Sequence, residues 1–476
     1  MNEEKLAKFD QIRQTKGNPF AEVFFDKKHT ISVVCQNFVE NQSISVAGRI
    51  MTKRGHGKTC FFDIADSTGR IQGYARRDII GENEFDIFKL LDLGDIVGIE
   101  GKSFITKTGE PTIQVEKFTL LSKAFRDLPE KFHGLKDIEA RFRKRYVDLI
   151  ANRETASLFA TRSKIVKYIR SVLDDRGFME VETPMLHPIP GGAAGRPFMT
   201  HHNALNFDIY MRIAPELYLK RLLVGGFDRV YELNRSFRNE GISVKHNPEF
   251  TMLEVYCAYN DYTYMMELTE CIIRGCAEDI LGTDKITFGD KEIDLSGKFN
   301  VISLAQIMKD EYGVEFDDPQ DVFIEKMRDR LKIKGDLSRM QIINMIEDII
   351  EERFYGTQPV FVTDYYTWMS PLAKAKKDMP AIAERFELFV AGMEVANAYS
   401  ELNDPIEQRQ RLGAQLDIEE ELPKKIDDDF IEALEYGMPP ATGLGIGIDR
   451  LIMLLLNKTS IKEVIFFPLM RPDVTA

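Results

Sequence analysis

Apolar and polar residues alternate with a period of two in five short segments near the start of the chain: 43–50, 59–64, 70–74, 95–101 and 112–115. Gly55, Gly57 and Gly69 punctuate the first three. Such a pattern predicts half-buried strands, and five of them with a helix near 84–92 predict a small closed barrel of the OB type. The residues before the barrel, 1 to about 30, read as helical, with Leu6, Phe9 and Ile12 set among charged residues. The period then changes. Over 155–177, Ile165, Val166, Ile169, Val172 and Leu173 fall on one helical stripe that Gly177 closes. A strand, 178–182, follows and runs into Thr183-Pro184. Residues 264–350 read as mainly helical, including 320–331 and 339–354. Strand alternation returns at 384–390. Glycines alternate at Gly443, Gly445 and Gly447 before the nearly all-apolar run 451–456. The expected class is α+β: a helix and barrel (1–125), a basic linker or hinge (126–150), and a larger sheet-and-helix domain (151–476) with a helical insertion around 264–350.

The densest chemistry lies between Phe237 and Tyr256, FRNEGISVKHNPEFTMLEVY. Gly241 loosens the middle, and Pro248, lacking an N–H, belongs at a strand start or edge. These features predict two antiparallel strands joined by a loop. The returning strand places Phe250, Met252, Glu254 and Tyr256 on one face. An aromatic ring, a carboxylate and a phenol together suit a pocket for something flat and something cationic better than a plain core, where buried charge is costly. Glu387 and Glu394, on neighbouring strands or strand ends, are oxygen ligands suited to a hard cation such as Mg²⁺. Asn397 and Glu401 face one cavity if their stretch turns. Arg450 heads a buried helix and needs an anionic or π partner.

Composition narrows the class. At 476 residues, two or more domains are expected. No apolar run is long enough to span a membrane, and the start is charged rather than signal-like. The five cysteines have no CxxC spacing, which favours reduced thiols and a cytoplasmic location. The net charge of −13 is uneven: residues 1–150 hold 25 Lys/Arg and 22 Asp/Glu, and the remainder 38 and 54. The first third can therefore meet a polyanion without bulk repulsion. Lys53, Arg54 and Lys58 beside Phe61 suit single-stranded nucleic acid, the competing reading being a barrel with Phe61 in its core. The loop 191–198 is glycine-rich without Walker spacing, so it is not a P-loop.

The quoted hairpin resembles motif 2 of class II aminoacyl-tRNA synthetases in its lysyl-tRNA synthetase form. RIAPELYLKR, EVANAYSELND and GLGIGIDR resemble the same family, the last as motif 3, and the helix–strand–Pro unit at 155–184 resembles motif 1. The resemblance runs from the barrel to Pro472. It implies an antiparallel catalytic sheet flanked by helices, a homodimer, and ATP, L-lysine and tRNA(Lys) as partners. Arg238 and Arg450 are then catalytic. Arg238, Glu240, His246, Asn247, Phe250, Glu387, Glu394 and Arg450 bind ATP, with Phe250 and Arg450 around adenine. Mg²⁺ lies on Glu387 and Glu394. Gly192, Glu216, Arg238, Glu254, Tyr256, Asn397 and Glu401 hold lysine. In the barrel, Arg54, Phe61 and Gln72 match anticodon-reading positions. Ala396 and Ala398 depart from the glycine that bacterial relatives often carry.

Three alternatives remain open at this point: an aspartyl- or asparaginyl-type synthetase, a protein-modifying relative that activates lysine, and a non-catalytic nucleic-acid-binding relative. An aspartate pocket needs cations, and the stretch Glu394–Glu401 has none. The protein-modifying relatives lack an N-terminal barrel. A non-catalytic relative is marked by loss of Arg238, Arg450 or the paired glutamates, and all are present.

Overall fold

The computed structural model describes residues 2–129, 135, 137–193, 195–333, 337–354, 358–416 and 425–472. Parts of the expected linker (130–134 and 136), of the helical insertion (334–336) and Ala194 of the glycine-rich loop lie outside the described residues. The chain forms two compact units, Met1–Lys136 and Asp137–Ala476. The expected linker, 126–150, has residues on both sides of that division.

In the first unit, strands β1 (Ser43–His56), β2 (Thr59–Ala65), β3 (Arg70–Arg76), β4 (Ile96–Ile105) and β5 (Pro111–Ser122) form a closed barrel in the order β1-β2-β3-β5-β4. The first strand runs to His56, six residues past the expected end at Ile50. An irregularity between Ile50 and Thr52 bends it, so its first half pairs with β4 and its second half with β2. Alternation fills the barrel: Ile44, Val46, Phe62, Ile64, Ile71, Val97, Ile99, Ile113 and Val115 are buried together. The leading helix is shorter than the pattern implies, Glu3–Lys16, and stops where Gly17 takes φ +86°.

The second unit is built on an eight-stranded sheet. Its strands are β6 (Met179–Glu180), β7 (Arg229–Phe237), β8 (Glu249–Ala258), β9 (Asn300–Ser303), β10 (Val360–Thr363), β11 (Arg385–Val390), β12 (Met393–Ser400) and β13 (Ala441–Gly447). Their spatial order is β9-β10-β11-β12-β13-β8-β7-β6. The sheet is mixed rather than purely antiparallel. Its two outermost pairs, β9 with β10 and β6 with β7, are parallel because a long connection rather than a hairpin joins each edge strand to its neighbour. The six inner strands are antiparallel.

Helices cover one face. Helix α1 (Arg153–Asp174) lays Ile165, Ile169, Val172 and Leu173 into a core shared with Leu253 and Val255 of β8, Leu444 and Ile446 of β13, and a helix that follows β13. Each such side chain, fully buried, contributes about 1.5–3 kcal/mol. The segment 264–350 is mainly helical but includes β9 and a small hairpin at Lys285–Phe288 and Lys291–Asp294. Its apolar residues Met308, Phe323, Met327, Ile342 and Ile346 pack on Val360, Val362 and Phe389 of the outer strands. These strand residues alternate with Phe361, Phe386 and Leu388 of the first core, so the insertion packs on the opposite face at its outer end and leaves the middle of that face for chemistry.

Candidate functional site

Register assembles this face. On β8, Glu254 lies opposite Gly445 and Tyr256 opposite Gly443. Across β13, the same glycines face Asn397 and Tyr399 of β12. Asn397 in turn faces Glu387 on β11, and Tyr399 faces Arg385. The glycines keep a side-chain-free lane between two polar walls. A Cβ on Gly443 would stand 2.1 Å from Glu401 Oε1 and 2.5 Å from Tyr256 Cε1. The stretch bearing Asn397 and Glu401 does not turn. It is strand through Ser400, and Glu401 continues it by bridging to Ala373, so the four-residue spacing shares a face by strand periodicity.

Helix α2 (Glu216–Val224) closes one end of this lane. Glu216, in its first turn, is buried and accepts a 2.7 Å hydrogen bond from Tyr399 Oη. Gly192, at φ +87°, passes so close that a Cβ there would sit 3.1 Å from Glu216 Cβ. Lys220, one turn further on, donates to Glu216 at 2.7 Å and is ion-paired with Glu401. Three carboxylates, of Glu216, Glu254 and Glu401, thus share one buried space. Burial first, then Glu216, pushes the Glu254 carboxyl up to about 8, against the opposing pull of Tyr256 and Arg238. Glu401 is also raised by burial, with Lys220 pulling it down. Tyr256 and Tyr399 are held far above the usual phenol range by burial and these same carboxylates, so both remain donors.

The other end is cationic and aromatic. Arg238 follows β7 and packs its guanidinium 5.3 Å from the Phe250 ring centroid. Its Nε is buried without a hydrogen-bond partner. The glycine-rich loop runs beside it, a Cβ on Gly195 falling 3.0 Å from Arg238 Cδ and 3.2 Å from Glu240 Oε1. Helix α4 (Ile448–Leu455) is fixed at its start by Asp449, which accepts from the Thr251 amide at 2.8 Å and pairs with Arg162 at 2.7 Å. The next residue, Arg450, is thereby aimed at Glu394 Oε2 (2.8 Å) and His246 Nε2 (2.9 Å). Burial and then Arg450 lower the His246 pKa. Asn247 is buried and donates to Glu249 O at 2.6 Å, while its Oδ1 is buried without a hydrogen-bond partner.

Glu387 accepts a 2.7 Å hydrogen bond from Tyr365 Oη and is ion-paired with Arg385. Among the described residues no group of three or more His, Cys, Asp or Glu side chains is arranged to hold a metal unaided. Glu387 and Glu394 lie close enough that Glu394 raises the Glu387 pKa, and two such carboxylates fit Mg²⁺ where a ligand's oxygens and water complete its shell. Glu347, on helix α3 (Arg339–Arg353), adds a further carboxyl here. It keeps solvent access, yet its carboxyl is pushed up to about 8 by the surrounding protein and then by Glu387 and Glu394.

The chain was compared with known proteins. The family described as "tRNA synthetases class II (D, K and N)" matches residues 137–471. The chain belongs to the class II tRNA synthetases. The description "OB-fold nucleic acid binding domain" matches residues 44–121. The lysine–tRNA ligase of Pelotomaculum thermopropionicum is 52% identical over 459 residues, 94% of this chain and 90% of that protein. The lysine–tRNA ligases of Carboxydothermus hydrogenoformans and Moorella thermoacetica are 50% and 48% identical, each covering 98% of this chain and 97% of their own length.

In this class II synthetase, the barrel candidates share one outward face. Arg54 pairs in register with Phe61, and Phe61 with Tyr74, two residues beyond Gln72. Phe62 rather than Phe61 enters the core, and Phe61 stacks on Tyr74 with centroids 4.3 Å apart. Gln72 accepts from Thr112 Oγ1 at 2.9 Å. Lys53 does not join this surface. Its ammonium donates to the carbonyls of Phe88, Lys89 and Leu91 at 2.6–2.8 Å, capping the end of the helix Glu82–Lys89, and burial lowers its pKa to about 8.

Sequence reasoning missed Lys220, Tyr399, Arg385 and Tyr74. The first carried a usable signal: a glutamate and a lysine four apart on a predicted helix are neighbours. Tyr399 sits midway between Asn397 and Glu401 in strand alternation. Arg385 and Tyr74 had no mark beyond sharing a strand with a candidate.

Proposed function

We propose that this class II synthetase attaches L-lysine to tRNA(Lys) at the expense of ATP, the activity for which its relatives are named. The observation that carries the choice of amino acid is the buried trio Glu216, Glu254 and Glu401, facing Arg238 across the glycine lane. Such a space suits an amino acid with an ammonium at each end and one carboxylate. An aspartate side chain would meet repulsion there.

In the first step a carboxylate oxygen of lysine attacks the α-phosphorus of ATP, the P–O bond to the β-phosphate breaks, and pyrophosphate departs with the bonding electrons. In the second, a hydroxyl of the tRNA 3′-terminal adenosine attacks the acyl carbon, loses its proton, and AMP leaves. Catalysis of this kind rests on positioning and charge neutralisation. Arg238, whose planar fork can hold carboxylate and phosphate together, aligns the reactants. Its orphan Nε is a donor in want of an anion. Phe250 and Arg450 enclose adenine, Glu240 meets the adenosine side and His246 the distal phosphates. Arg450 leaves Glu394 and His246 to do so. Mg²⁺, when bound by Glu387 and Glu394, neutralises the triphosphate. Glu216 takes the α-ammonium beside Gly192, while Glu401 and Tyr256, with Glu254 and Asn397, take the ε-ammonium.

The barrel region (1–125) reads the anticodon through Arg54, Phe61 and Gln72, and 126–150 joins it to the catalytic region (151–476). Two copies pair through the helix–strand–Pro unit, in the cytoplasm, with no membrane contact. Among the described residues no helix is long and apolar enough to cross a membrane, and all five cysteines are free. Amino-acid-dependent ATP–pyrophosphate exchange across all amino acids, followed by tRNA charging, tests the reading. Absence of lysine-dependent exchange overturns it.

A further inference from the structure

Lys220 lies inside the pocket wall with none of its side chain exposed. Its Nζ is 2.7 Å from Glu216 Oε1, ion-paired with Glu401 Oε2, and 5.6 Å from the Tyr399 ring centroid. Removing an ammonium from water is costly and ordinarily drives a lysine toward its neutral form. Here Glu216 and Glu401 outweigh burial and keep Lys220 charged. The protein thus places an ammonium of its own between the carboxylates assigned above to the two ammonium groups of the substrate. Glu401 is divided as a result. One oxygen is held by Lys220, while Oε1 is buried without a hydrogen-bond partner and faces the open lane over Gly443.

We propose that Lys220 is a specificity-positioning residue: it ties Glu216 to Glu401 and holds the Glu401 carboxyl with Oε1 toward the lane, where the distal ammonium of a doubly cationic amino acid meets it. The inference rests on the lysine reading and extends it. Without Lys220 the buried carboxylates would hold protons more tightly still, and a protonated carboxyl accepts a neutral side chain. Lys220 pulls Glu401 toward its ionised form against burial and fixes its orientation, so a substrate lacking the distal ammonium leaves that buried carboxyl without its partner. Rejection of such a substrate is therefore strong. Lys220 touches no reacting atom, and its effect belongs to amino-acid binding rather than to the chemical step.

The test compares the full-length wild type with Lys220→Met and Lys220→Arg in ATP–pyrophosphate exchange, using L-lysine and L-norleucine, which has the same carbon chain without the ε-ammonium. For Lys220→Met the KM for lysine should rise by about tenfold or more, equivalent to one pKa unit of protonation on the partner carboxylates. The kcat should stay within a few-fold, the lysine-to-norleucine preference should fall, and the pH at which lysine KM levels off should move upward. Lys220→Arg, which keeps the charge, should recover most of the preference. An unchanged lysine KM and preference in Lys220→Met overturns the inference while leaving lysine activation by the wild type intact. Failure of the wild type to exchange with lysine would instead overturn the underlying reading. Should Lys220→Met not fold, ¹⁵N-lysine labelling of the wild type decides: the shielded Lys220 ammonium resonance must shift on saturation with lysine, and no shift refutes the shared carboxylate.

Discussion

Adding one methyl group to each of the three alternating glycines gives a graded prediction that depends on the register of β13. At Gly443 the new Cβ would lie 2.1 Å from Glu401 Oε1 and 2.5 Å from Tyr256 Cε1. Both neighbours are at most 2% exposed, so neither can swing into solvent. Overpacking a tight interior costs about 1–3 kcal/mol, and here relief requires the Glu401 carboxylate to retreat from the lane. If that cost falls on lysine binding, Gly443→Ala should raise the lysine KM by about 5- to 150-fold while leaving the KM for ATP nearly unchanged. At Gly445 the nearest atom is Met252 Cε at 3.2 Å, a flexible thioether end, with Glu254 Oε1 at 3.6 Å. A few-fold effect on lysine is expected. At Gly447 the nearest atoms belong to Arg450 at 3.7 Å, an ordinary contact, so Gly447→Ala should spare lysine binding. The assay is ATP–pyrophosphate exchange with lysine and ATP varied separately, alongside thermal melting to confirm folding. A Gly443→Ala protein that melts normally and keeps the wild-type lysine KM would refute the argument that this glycine shapes the pocket.

Other outcomes follow from single residues. Because the empty pocket holds a proton on Glu254 up to about pH 8 and an incoming ammonium favours the carboxylate, lysine binding should release a proton below that pH. Affinity should tighten as pH rises toward 8 and level off above it, being about tenfold weaker at pH 7 than on the plateau; calorimetry in buffers of differing ionisation enthalpy measures both, and a flat profile refutes the assignment. Glu254 is flanked by Glu216, Glu232, Tyr256 and Arg238, so Glu254→Gln should flatten most of this slope. Glu401→Gln removes one partner of a buried ion pair and should weaken lysine binding by about 3–5 kcal/mol, read as KM in exchange; an unchanged KM excludes it from the pocket. Phe61→Ala should impair tRNA charging far more than lysine activation, since its outward ring stacks on Tyr74 at the barrel surface. Equal loss of both steps would contradict the division of labour between barrel and sheet.

Much of this was legible in the sequence for identifiable reasons. Strand alternation announces itself wherever one face is buried and the other wet, as at Thr59–Ala65, where Phe61 faces out and Phe62 in. The hairpin, the alternating glycines and the apolar helix after Arg450 were readable because their residue types are costly anywhere else. Edge pairings were not: whether β6 and β9 run parallel to their neighbours depends on where distant helices return the chain. The extent of β1 was hidden by a bulge, which leaves little trace in local pattern. Lys53 looked like a nucleic-acid contact because charge and proximity to Phe61 are local, whereas the carbonyls it caps lie 35 to 38 residues away. Asn397 and Glu401 fall on one face by strand period rather than by a turn.

That internal use of Lys53 bears on how RNA reaches the barrel. Other cations of this unit are also engaged at home: Lys8 and Lys123 with Asp92, Lys27 with Asp66, Arg70 with Asp63 and Arg76 with Asp78. A surface whose positive charge is largely answered from within displaces few counterions when it meets a polyphosphate, so the dependence of barrel binding on salt should be shallow. Long-range attraction then contributes little to the encounter rate. With Phe61 and Gln72 as the proposed base contacts, discrimination among RNAs would then fall to how long a stacked base stays between them, a matter of residence time rather than of capture.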